Sequence, residues 1–318
     1  MPVLSRLVSS KPCVLAAALS LTAFVSGCGG SSDGSSTVTA ATSTEVTVPV
    51  SAVTATVLDP GSEPRSPVRL TPSTGTEQDV ILTTRSEVYQ QIDDQAQQDF
   101  STPELTLPLA ATVEQAVDES SPSMMVDLVL GDVTSSDPTF ESSLSQIAGS
   151  GAGLTMGPDG SVSALRLAPG SAVPNVGRSA LEQAFYQAVY RMVAFPEEPI
   201  GVGAVWETHQ QVLSAGITID QVGTATLVSR EGGRVVVDVR VEQIPDQSTW
   251  ELPNGQGQLA IESYTMAGEG TLTVDPTKPL PVEGRFTVTG EQMYVDVEGM
   301  TRLGQSQTDH VAWSTPEK

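Results

Sequence analysis

Glu231-Gly232-Gly233-Arg234-Val235-Val236-Val237-Asp238-Val239-Arg240-Val241-Glu242-Gln243-Ile244 is the stretch that decides the fold. From Arg234 onward Val235, Val237, Val239 and Val241 share one face, while Asp238, Arg240 and Glu242 share the other. That period of two describes a strand with one buried side. Two consecutive glycines in front of it suit a type I′ turn, whose central residues both take positive φ, so the spacing predicts a hairpin with Ile217–Ser229. Working outward, strand-like runs separated by Pro, Ser, Asp and Gly recur at Val80–Ile92, Leu105–Val117 and Met124–Val133. They continue at Ala204–Leu213, Gln258–Met266, Thr271–Asp275, Val282–Thr289, Gln292–Val297 and Gln307–Trp313. The expectation is a mainly β (β-rich α+β) domain built on an antiparallel sheet, half-barrel or sandwich-like in shape.

One segment departs from this texture. Ser179-Ala180-Leu181-Glu182 reads as a capping box, and Leu181, Ala184, Phe185, Ala188, Val189, Met192 and Val193 follow at helical spacing until Pro196. A central amphipathic helix over about 180–195, laid on the inner face of the sheet, is expected, with a weaker one around Phe140–Ala148. Four of the chain's 14 aromatics fall in this segment. Core packing is the simpler role for them, and the wall of a ligand cavity is the other. On that second reading Phe185, Val189, Met192 and Trp206 are the ligand-contact candidates. Two recurrences flank the helix. Glu87–Ile92 matches Glu207–Val212, and Gly151–Thr155 matches Gly268–Thr273, which predicts two related halves.

The N-terminus carries a different message. Arg6 and Lys11 precede the apolar run Val14–Val25, which is shorter than the roughly 20 residues that a membrane-spanning helix needs. The run ends in Val25-Ser26-Gly27-Cys28, which resembles the bacterial lipobox. The resemblance implies that residues 1–27 are a lipoprotein signal peptide and that Cys28 receives a diacylglyceryl group. The partner is then a cell membrane, engaged through that lipid on its extracytoplasmic face. Residues 28–65, rich in Ser, Thr, Gly and Ala, read as a disordered tether, and residues 66–318 as a single β-rich extracytoplasmic domain. The stretch Pro196–Trp206 is similar to a proline–glycine–tryptophan entry found in uncharacterised secreted lipoproteins of high-GC Gram-positive bacteria. That resemblance spans about residues 66–315.

Charge and composition narrow the function. A net charge of −23 at pH 7 leaves no basic face for nucleic acid, and it argues against electrostatic docking on anionic head groups. The two cysteines are Cys13, inside the signal, and Cys28, so the folded domain has neither disulfide nor Cys-ligated metal. No G-x-S-x-G, S-x-x-K or H-E-x-x-H motif occurs, and His209 and His310 lack local catalytic company. No cofactor, metal or catalytic residue is assigned. The expectation is a non-enzymatic lipoprotein binding an apolar or amphipathic envelope component, in the manner of envelope lipoproteins that hold a ligand between a curved sheet and helices. The alternative is a surface or structural lipoprotein that binds protein or glycan through its exterior, with an aromatic patch around Trp250 or Trp313.

Overall fold

The computed structural model describes residues 45–118, 121–214, 216–252 and 257–317. The expected signal peptide (1–27), Cys28 and residues 29–44 of the expected tether lie outside them. Among the described residues no helix is long and apolar enough to cross a membrane.

The described residues are mainly β: one large, open, antiparallel sheet and two helices. A first meander comprises β3 (Glu77–Ile92), β5 (Thr102–Gln115), β6 (Met124–Leu130), β8 (Gly151–Met156) and β9 (Val162–Ala168). The short pieces β4 (Gln98–Asp99) and β7 (Thr134–Ser135) pair at its margin. A second comprises β10 (Val205–Ser214), β11 (Ile217–Glu231), β12 (Arg234–Pro245), β14 (Gln258–Val274), β15 (Glu283–Asp296) and β16 (Arg302–Ser314), with β13 (Thr249–Glu251) beside β14. The meanders join through β3 and β16, giving the order β9-β8-β6-β5-β3-β16-β15-β14-β12-β11-β10. The predicted hairpin is present: Glu231 pairs with Arg234, and Gly232 and Gly233 have φ of 58° and 82°.

Both meanders trace the same path, and the recurrences fall on the first and fourth strands of each. Glu87–Ile92 and Glu207–Val212 also agree in which side chains face inward. The glycine match does not. A Cβ on Gly153 would meet the half-exposed Arg166 side chain, whereas one on Gly270 would lie 2.4 Å from the buried Phe286 ring.

Residues 45–59, assigned to the tether from sequence, are strands instead. β1 (Val46–Pro49) pairs with β9, and β2 (Val53–Asp59) pairs with β10. Val46 and Val48 face Leu167 and Leu165, and Val57 faces Trp206. β9 and β10 are the two ends of the eleven-strand order, some ten strand spacings or about 48 Å apart in a flat sheet. Only Val50-Ser51-Ala52 separates β1 from β2, a span of at most about 14 Å from Pro49 to Val53. The sheet therefore has to curl until its edges nearly meet.

Inward glycines let it do so. The segments 258–275 and 282–297, each read as two strands broken at glycines, are the single strands β14 and β15. Gly268, Gly270 and Gly290 lie inside them, where neighbouring backbone and side chains approach too closely for a Cβ.

The central helix, α2, runs Asn175–Val189, earlier than expected at both ends. Ser179 and Glu182 lie inside it and cap nothing. Pro174, extended at φ −61°, starts it, and Gly177 packs against the Ser143 carbonyl in the last turn of α1 (Pro138–Leu144). It ends at Tyr190, whose carbonyl accepts from Gln221 Nε2 and Arg191 Nη1, so Val193–Phe195 can turn away. Those residues stopper the upper end of the curled sheet, taking the Gly232–Gly233 turn as the top. There Phe195 packs 5.9 Å from Trp206, and Trp206 Nε1 donates to the Ala194 carbonyl at 2.9 Å. Gln78 and Leu280 exchange two 3.0 Å hydrogen bonds at the same end.

Gly270→Ala should destabilise the domain by about 1–3 kcal/mol, the usual cost of overpacking a core. Gly151→Ala, whose Cβ would have 3.6 Å of clearance, should stay within about 0.5 kcal/mol of wild type. Equilibrium urea unfolding of the two variants measures both.

Candidate functional site

Below the stopper, the concave face carries two hydrogen-bonded polar rows with an apolar patch between them. In a half-buried strand every second residue points inward. In this part of the sheet those positions hold Ser86, Gln90, Gln221, Gln243, Gln292, Gln305, Gln307 and Asp309 instead of aliphatic residues.

The first row crosses β3, β16 and β15. Asp309 anchors it: Oδ1 accepts from Ser86 Oγ at 2.6 Å and from Gln187 Nε2 of α2 at 3.2 Å, and Oδ2 accepts from Gln307 Nε2 at 2.7 Å. Gln305 Nε2 donates to Gln292 Oε1 at 2.7 Å and to Gln307 Oε1 at 3.3 Å, while Gln90 Nε2 donates to Gln305 Oε1 at 2.7 Å. Tyr294 OH also donates to Gln292 Oε1, at 3.3 Å, and its ring packs 5.0 Å from Trp250. The second row links β11 and β12 to the end of α2. Arg191 Nη1 donates to Gln221 Oε1 at 2.6 Å, and Gln243 Nε2 to the same oxygen at 2.9 Å. Between the rows lie Val241, Met266, Phe286 and Val288, all buried, with Val239 and Tyr264 packed against them. The Arg191 guanidinium sits 5.5 Å from the Phe286 ring centre, a cation–π distance.

Burial dominates the electrostatics. It pushes the Asp309 carboxyl above the ordinary carboxylate range, opposed by the Ser86 hydroxyl and by the charge of Arg191. It draws the Arg191 guanidinium down, opposed by Asp309. The Tyr264 hydroxyl is raised to about 12 by burial and by the Asp309 charge. Such a floor offers fixed amide donors and acceptors beside an apolar surface. It fits a molecule with both polar and apolar parts.

The four contact candidates from sequence do not meet there. Phe185, Val189 and Trp206 are buried core residues, and Met192 is half-buried. The gap beneath α2, lined by Thr84, Ser86, Leu105, Ala180, Ala184 and Gln187 among others, has essentially no volume that a water-sized molecule could enter. Enclosed sites for drug-sized ligands start near 300 Å³. Trp250 and Trp313, expected on the exterior, are 3% and 4% exposed. His209 pairs with Glu207 on the exposed side of β10, and His310 contacts Thr287 on the face of β16 opposite Asp309. Among the described residues no group of three or more His, Cys, Asp or Glu could hold a metal ion. No protein-family model and no curated protein sequence matches the chain.

The polar rows escaped the sequence reading because their members lie far apart along the chain. A signal was present nonetheless. In Arg234–Ile244 the inward phase of Val235, Val237, Val239 and Val241 continues into Gln243.

Asp309 makes the site readable by pH. Its folded-state pKa lies above the ordinary 3.8, so the folded chain holds this proton more tightly than the unfolded chain does. The stability it contributes is largest below pH 3.8 and is lost as pH rises through the folded-state value. Asp309→Asn cannot titrate. Wild type should therefore gain stability relative to this variant as pH falls from 7 towards 4, seen as a shift in the difference between their urea midpoints. The surface aspartates are common to both proteins and cancel.

Proposed function

We propose that this chain is an exported, non-enzymatic lipoprotein. In this reading diacylglycerol on Cys28 holds it to the extracytoplasmic face of a cell membrane, and its concave face binds an amphipathic envelope component. The Val25-Ser26-Gly27-Cys28 lipobox resemblance supports the anchoring. The binding reading rests on one observation: an apolar patch of Val241, Met266, Phe286 and Val288 bracketed by two rows of side-chain hydrogen bonds. The tight space beneath α2 favours a ligand that reaches this floor from its half-buried margin, Gln90, Gln305, Gln307 and Tyr264, rather than one swallowed between helix and sheet. Burial of Trp250 and Trp313 is the reason the concave face is preferred to the exterior.

Intact mass of the protein extracted from its membrane should begin at Cys28 and carry the lipid adduct, and Cys28→Ser should retain the signal peptide. Native mass spectrometry of the mature protein, released in mild detergent, should show a second species of defined mass that is lost on denaturation. Gln305→Ala and Tyr264→Phe should each reduce its occupancy about tenfold or more, a loss larger than the shift in either urea midpoint accounts for. Full occupancy in both variants would remove the concave face as the site.

A further inference from the structure

We infer that the lower rim of the sheet is a membrane-docking face, laid against the same bilayer that holds the chain's own anchor. The inference rests on the anchoring proposed for Cys28 and adds an orientation and a contact surface to it.

The three most exposed large apolar side chains among the described residues are Val297 (76%), Met300 (74%) and Leu213 (67%). All three sit at the lower end, opposite the Gly232–Gly233 turn. Val297 and Met300 form the tip between β15 and β16, and Leu213 closes β10. Ile244, near the end of β12, and Val176, in the first turn of α2, are also exposed at this end. An apolar residue left singly on a surface is ordinary, whereas several gathered at the tips of one rim mark a contact surface.

The path of the chain says what covers it. β1 enters the sheet at this same rim, with Val46 paired to Leu167 near the lower end of β9. Sixteen residues, 29–44, lie between Cys28 and Glu45, and on the tether reading of their Ser/Thr/Gly/Ala-rich sequence they would have an r.m.s. reach on the order of 20 Å. β14 alone, at seventeen residues, is about 55 Å long. A lipid on Cys28 therefore favours the lower rim over the upper one as the face nearest the bilayer.

Charge identifies the type of contact. Asp296 and Glu298 lie on either side of Val297, and the Met300 amide donates to Asp296 Oδ1 at 2.8 Å, which holds that carboxyl below the usual carboxylate range. With no basic cluster beside it among the described residues, the rim suits shallow apolar insertion into a neutral interface rather than attraction to anionic lipid.

The folded domain has no cysteine, so one introduced thiol can be labelled cleanly once Cys28 is a thioether. The test uses the mature lipidated protein in phosphatidylcholine vesicles containing brominated phosphatidylcholine. A polarity-sensitive fluorophore is placed on Met300→Cys or, at the upper end, on Glu231→Cys. The label at 300 should be quenched at least threefold more than the label at 231, unchanged from 0.1 to 0.5 M salt, and Val297→Asp should reduce that quenching while flotation with vesicles persists. Equal, weak quenching at both sites in protein that floats overturns the docking face alone. Protein that does not float, and in which Cys28 also takes the label, overturns the anchor and the docking face with it.

Discussion

Everything in this molecule depends on a three-residue span. Val50-Ser51-Ala52 joins a strand on one edge of the sheet to a strand on the other. Chain connectivity thus fixes an upper bound on edge separation that no flat or gently twisted sheet of this width satisfies. The glycines on the concave face, the upper stopper of Phe195 and Trp206, and the helix laid across the middle all answer that constraint. Val50 is itself buried, and Gln210 Nε2 donates to the Ser51 carbonyl at 2.9 Å. The bridge is therefore held by packing and hydrogen bonding as well as by its covalent bonds.

A sheet curled this far brings its inner residues close, and the polar rows show how that crowding is resolved. A buried amide left unpaired costs about 1–3 kcal/mol, and a buried charge more. Here the side-chain amides of Gln90, Gln305, Gln307 and Gln187 each donate to a neighbouring oxygen, and the row ends on a carboxylate that accepts from three side chains. Arg191 plays the matching part on the other side, satisfied by Gln221 and by the carbonyl that ends α2. Its positive charge and that of Asp309 act on each other across the apolar patch. Networks of this kind hold their side chains in fixed places, which is what a binding floor requires and a greasy interior does not supply.

Much of this was legible in the residues. Alternation at Arg234–Ile244 and the paired glycines before it gave the hairpin in its actual register, and the apolar spacing around Phe185 gave the helix. The misreadings have physical causes. Ser179 and Glu182 have the chemistry of a capping box, but Pro174 had already set the helix start. Gly268, Gly270 and Gly290 resemble strand breaks until a partner strand is close enough to exclude a Cβ, a fact that only the pairing reveals. Residues 46–57 alternate Val and Thr as a strand should, yet the phase slips between Val50 and Val53, and the surrounding Ser, Thr and Pro hid it. The concave site was the least legible because strand pairing, not sequence proximity, assembles it.

The same constraint links fold to function. In a flat sheet Gln90, Gln292, Gln305 and Asp309 would form a polar stripe open to water, competing with solvent for every hydrogen bond. Curling the sheet places that stripe and the Phe286 patch at the bottom of a trough, where each hydrogen bond is stronger because water is scarcer. The helix covers part of the trough and its last carbonyl ties down the second row, so it acts as a fixed beam rather than as a lid. Apolar side chains at the opposite face of the beam, Phe185 and Val189, are then spent on holding it in place. What remains beyond it is a floor polar at two margins and apolar between them.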